Sequence, residues 1–155
     1  MSASKDITRT VSRIWRMYKR QESLLLIAMR MDIPCKLRRH LGKGRVMSSL
    51  FKKEIHDLYE SVKSISDDGD LASITRSADD FVDQMTQSDL IALITAEQNP
   101  MVNHYNTLLE YFDENSPQAR LCKEHIEMIS KLNQGLSQEA VTLEQKPTER
   151  FVSVA

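Results

Sequence analysis

Glycine and proline are scarce in this chain, four of each in 155 residues, and aromatics make up only 6%. β-branched runs are rare as well. That combination leaves little material for the turns and pleated strands of a β-rich domain. No apolar run approaches the roughly 18 residues of a membrane span. The longest, "LLLIAM" at 24–29, is closed by Arg30. Two cysteines, Cys35 and Cys122, stand far apart, too few for a disulfide framework and read as reduced thiols. The charged start, with Lys5, Arg9 and Arg13 and no long apolar region behind them, predicts no secretory signal and a cytoplasmic protein.

Sites that carry chemistry are equally thin. The four histidines (40, 56, 104 and 125) form no i, i+4 pair, and the His-Glu zinc helix motif does not occur. "GKG" at 42–44 lacks the glycine spacing and Lys-Ser/Thr pair of a phosphate-binding loop. Cys122 and His125, three apart, make half a metal site without its other ligands, and read as a buried thiol beside a surface imidazole. Asp79, Asp80 and Asp83 cluster at an expected helix start, where the positive dipole end explains them without catalysis. No catalytic residue, metal or cofactor is expected, and no enzyme.

What the chain has in quantity is Leu, Met, Ala, Glu, Gln, Lys and Arg, the good helix formers. Length and composition predict one all-α domain with a real core. A long first helix spans 5–32, with Ile7, Val11, Ile14 and Tyr18 on one stripe and Arg9, Arg13, Arg16 and Arg20 on another. Pro34 ends it. Gly42 and Gly44 predict a basic loop after a short helix at 36–41, and the next helix covers about 46–65. Its expected buried face is Met47, Leu50, Phe51, Leu58 and Val62. Residues 64–77 read as a polar linker, followed by a short helix at about 78–85. Thr86 or Ser88 caps a helix containing Leu90, Ile91, Leu93 and Ile94. Asn99-Pro100 marks a turn into a helix with Met101, Val102, Tyr105, Leu108, Leu109 and Phe112. Ser116-Pro117 opens the last helix, striped by Leu121, Cys122, Ile126, Ile129 and Leu132 and ended by Gly135. The helical domain is thus 1–135, and 136–155 is a flexible tail.

Charge is distributed unevenly. Residues 1–53 carry +11 and the remainder −12, which sum to the formal −1. Such asymmetry points to an anionic partner, nucleic acid foremost, or to the basic third packing on acidic surface. "KLRRHLGKGR" at 36–45 concentrates the positive charge in Lys36, Arg38, Arg39, Lys43 and Arg45, the candidate phosphate contacts. Residues 86–112 have helix-turn-helix proportions, but the second helix carries no Lys or Arg for a phosphate backbone. The nearly all-round apolar stretch Leu24, Leu25, Ile27, Ala28 and Met31 predicts a homodimer interface. The methionines at 29, 31, 47, 85, 101 and 128 are expected in the core or an interface.

Several blocks resemble the FlhD family, the D subunit of the bacterial flagellar master regulator. "SLLLIAMRM" (23–31), preceded by Tyr18, resembles its first-helix signature. "LGKGRVMSSL" (41–50), "MTQSDLIALITAEQ" (85–98) and "KEHIEMISKLN" (123–133) are similar to later blocks. The chain departs from the family in its basic residues after Leu41-Gly42, in about 25 extra residues between the second and third blocks, and in Met101 at a position where the family often has an intersubunit cysteine. The resemblance implies a dimeric all-α subunit of a hetero-oligomeric transcription activator. Its partner would be a FlhC-like zinc-containing subunit, and together they would bind promoter DNA and recruit RNA polymerase. The departures suggest a diverged member, such as the activator of transfer genes of a conjugative element. The competing expectation is a helical adaptor, a protein-interaction module without DNA binding.

Overall fold

A computed structural model of the chain describes residues 2–62 and 86–145. The described residues form five helices and no strand: α1 Ser2–Arg30, α2 Cys35–Val62, α3 Gln87–Ala96, α4 Gln98–Tyr111 and α5 Pro117–Gln145. The polar 64–77 segment and the expected 78–85 helix, with Asp79, Asp80, Asp83 and Met85, lie outside the described residues. No described helix is long and apolar enough to cross a membrane.

Local chemistry sets the helix ends. The turn before Pro34 closes α1, with Met31 N–H donating to Ala28 O. Thr86 caps α3, its hydroxyl accepting from Asp89 N–H at 3.1 Å. Ser116 caps α5 in the same way through Ala119 N–H, with Pro117 at the first helical position. Between α3 and α4 only Glu97 intervenes. Pro100 is therefore the third residue of α4 rather than its first, and the junction is shorter than the three- or four-residue turn usual between the helices of a DNA-binding helix-turn-helix.

α1 packs along α2 as an antiparallel hairpin, and each of α1 and α5 also packs on α3 and α4. α5 closes the ring against α2. The result is a four-cornered bundle in which α3 and α4 together make one broken corner. Val11, Ile14, Tyr18, Leu24 and Leu25 from α1 meet Leu37, Leu41, Phe51 and Ile55 from α2 in the core. Ile91, Ile94, Met101, Leu108, Ile129 and Leu136 complete it. Burial of an aliphatic side chain is worth roughly 1.5–3 kcal/mol, so this core holds the bundle.

Four expectations are corrected by this packing. Gly42 and Gly44 do not break a helix: α2 runs through them, and "KLRRHLGKGR" is helical throughout. Gly44 is buried against side chains of both α1 and α5; a Cβ there would stand 3.0 Å from Leu132 and 3.5 Å from Leu25. Close helix approach, not a turn, is what this glycine permits. Gly135 likewise lies inside α5, its hydrogen facing the His40 ring, and the helix continues to Gln145. The proposed interface residues Leu24, Leu25 and Ala28 are at most 1% exposed, and Ile27 and Met31 pack half-buried against the same core. The chain covers its own apolar stretch, because α2, α3 and α4 surround α1. Leu50, expected inside, is 52% exposed.

Candidate functional site

The basic segment occupies the N-terminal half of α2, and its cations have separate fates. Arg38 turns back on the end of α1, donating to Met29 O and, at 3.1 Å, to Met31 O. There it satisfies carbonyls that a helix C-terminus leaves open. Lys36 lies 3.7 Å from Glu139 on α5. Arg39, Lys43 and Arg45 are exposed and have no ion-pair partner among the described residues. Arg39 and Lys43 share a face with Lys36 at i, i+3, i+7 spacing; Arg45 projects from the flank. The five candidate phosphate contacts thus divide into one structural cap, one paired lysine and three available cations.

Further along, Lys52 is held by Glu22 at 2.7 Å and sits 5.9 Å from the centre of the Trp15 ring, with Lys19 at 5.4 Å from the same ring. Arg20 binds Glu97 at 2.5 Å. Gln21 donates to the other Glu97 oxygen at 2.9 Å and accepts from Gln98 at 3.1 Å. This polar clamp fixes the α3–α4 junction to the middle of α1. Burial raises the Glu97 carboxyl above its ordinary value, against the pull of Arg20.

The bundle centre holds a polar chain that the sequence reading missed. Tyr18 and Tyr105 hydroxyls are 2.6 Å apart, and Tyr105 lies 2.6 Å from His125 Nδ1. His125 Nε2 is 2.9 Å from Glu54 Oε2. Each corner of the bundle contributes one residue. His125 is 1% exposed rather than on the surface, and Phe51 stacks on its ring at 3.8 Å. The proton order follows from valence. The Glu54 carboxylate accepts from Nε2–H, so Nδ1 accepts from Tyr105 O–H, and Tyr105 in turn accepts from Tyr18. A neutral imidazole satisfies every group. Burial holds His125 below its ordinary value near 6.5, with Glu54 opposing, and raises both tyrosines above their usual range. Cys122, buried beside them, is pushed up to about 12. That makes it an inert thiol rather than a nucleophile or ligand.

The signal for this chain was present: Tyr18, Tyr105 and His125 fall on the apolar stripes of their helices, where a polar atom demands a partner. Its outer end, Glu54, opens with Asp57, Leu58 and Leu121 onto a surface groove of about 340 Å³ between α2 and α5. Among the described residues no three His, Cys, Asp or Glu side chains are placed to hold a metal ion.

No known protein family, curated protein or solved structure matches the chain. The likeness to the FlhD family therefore rests on the short sequence blocks alone. Met101, at the position where that family often carries an intersubunit cysteine, is fully buried in the core.

Proposed function

We propose that the chain is the DNA-contacting, non-enzymatic subunit of a hetero-oligomeric transcription activator, and that α2 supplies phosphate contacts through Arg39, Lys43 and Arg45. The observation that carries this reading is their state. All three are exposed on one rigid helix and lack an ion-pair partner among the described residues, in a chain whose first 53 residues carry +11. Cations of this kind release counterions from a nucleic-acid backbone, and they position a protein without reading sequence. α4, the second helix of the pair with helix-turn-helix proportions, turns Met101, Tyr105 and Leu108 into the core and offers no cation. Base specificity then belongs to the FlhC-like partner that the family resemblance implies, and recruitment of RNA polymerase to the assembled complex.

The test is the triple variant Arg39→Ala/Lys43→Ala/Arg45→Ala, assayed by fluorescence anisotropy on promoter and scrambled DNA, with and without the partner subunit. Affinity should fall about equally on both sequences. The slope of log affinity against log salt should shrink by about 0.9 per lost contact. Unchanged affinity and slope overturn the reading. The adaptor alternative draws support from Val46 and Leu50, which are 70% and 52% exposed on the same helix.

A further inference from the structure

The outer face of α2 carries a regular stripe. Lys36, Arg39, Lys43 and Val46 begin it, and Leu50, Lys53, Asp57 and Glu60 continue it, in alternating steps of three and four residues. Those steps are the a and d positions of a coiled-coil seam. All eight residues are exposed, and the two at the centre are the large aliphatic ones. The seam is basic at its N-terminal end and acidic at its C-terminal end.

We propose that α2 pairs with α2 of a second copy of this chain, antiparallel, about a twofold axis level with Ser48. In that register each a position faces a d position of the other copy. Val46 meets Leu50 of the second copy, and Arg39 meets Asp57. Lys36 meets Glu60, and symmetry repeats every contact. No other antiparallel register of this seam brings the two aliphatic residues together and the opposite charges into line at once. Asp57 lies 3.9 Å from His56 and is otherwise turned outward, its side chain 74% exposed. The register has one like-charge contact, Lys43 with Lys53. Lysine stems at such positions carry their ammonium groups out to solvent. Small apolar content and that repulsion make the pairing weak and salt-sensitive.

The interface lies on the opposite face of the hairpin from the Leu24–Ala28 core, so the bundle need not open to form it. The proposal goes beyond the nucleic-acid reading. It uses Arg39 but leaves Lys43, Arg45 and Lys53 of both copies without an acidic partner, close to the twofold axis. Self-association is measured without nucleic acid, so either reading can fail alone.

Sedimentation equilibrium on the full chain at low salt tests it. Leu50→Glu should raise the dimer dissociation constant at least about tenfold, with an unchanged helical circular dichroism spectrum because the site is exposed. Arg39→Asp and Asp57→Arg should each weaken association. The double variant should restore it, since the exchanged charges meet again across the axis. Lys53→Glu should strengthen association several-fold by turning two repulsive contacts into attractive ones. A chain that stays monomeric at all concentrations overturns the proposal. So does a dimer indifferent to Leu50→Glu, or a double variant no better than the single reversals.

Discussion

Replacing Tyr105 by Phe removes one oxygen and leaves the ring in place. That oxygen makes two hydrogen bonds of 2.6 Å, accepting from Tyr18 and donating to His125 Nδ1. Without it the Tyr18 hydroxyl has no acceptor and Nδ1 has no donor, and both residues are 1% exposed. A buried polar group left without a partner costs about 1–3 kcal/mol. The two orphans are neighbours and share relaxation, so the expected loss is roughly 2–4 kcal/mol. Tyr18→Phe removes only the end of the chain. Tyr105 still donates to His125 and loses only an incoming bond, for a loss of about 0.5–1.5 kcal/mol. Urea unfolding followed by circular dichroism at neutral pH measures both. The proton order demands that Tyr105→Phe be the costlier change by at least about 0.5 kcal/mol. Equal costs, or a costlier Tyr18→Phe, refute the direction assigned to the chain.

Acidification should act on the same centre. His125 titrates below its unfolded value near 6.5, so below that pH the unfolded chain binds more protons. Stability is then fully present above pH 6.5 and falls as the pH is lowered towards 5. His125→Gln should flatten that slope in urea midpoints collected across the range. The glycines of α2 should separate by substitution. A Cβ at Gly42 meets only Met29, at 3.7 Å, so Gly42→Ala should stabilise by about 0.5–1 kcal/mol through helix propensity. Gly44→Val should destabilise by about 1–3 kcal/mol because it drives into Leu132 and Leu25, and thermal melts of the two variants should move in opposite directions.

Where one face of a helix is apolar and its ends are marked, the sequence was sufficient. Pro34, Thr86 and the Ser116-Pro117 pair fix real boundaries, and the stripes through Val11, Ile14 and Tyr18 or Cys122, Ile129 and Leu132 are buried. It failed where a residue has two physical uses. Gly44 and Gly135 look like helix breakers when only their own backbone is considered. Their small size serves Leu132 and Leu25 on two other helices in the first case, and His40 on another helix in the second. Leu24, Leu25 and Ala28 looked like an interface because a lone helix cannot show that three others will surround it. His125 looked superficial for the same reason: its partners Glu54 and Tyr105 lie 71 and 20 residues distant in sequence. Of the five basic candidates, pattern alone could not separate Arg38, which closes α1, from Arg39 beside it.

The hydroxyl–imidazole–carboxylate chain has a consequence for how this sequence can drift. Its four members sit on four different helices; Tyr105 is the hydrogen-bond partner shown for Tyr18 and His125 the one shown for Glu54, and these two also bond each other. Loss of Tyr105 strands a buried polar atom on each side and loss of His125 strands the Tyr105 hydroxyl, while an aliphatic core position next door can trade size with its neighbours at modest cost. A descendant can reach an all-apolar centre only by crossing less stable intermediates or by changing several residues together. Tyr105 and His125 should therefore be inherited together or lost together, Tyr18 can drift to Phe at small cost, and a homologue that retains Tyr105 and His125 should also retain an acceptor at the Glu54 position.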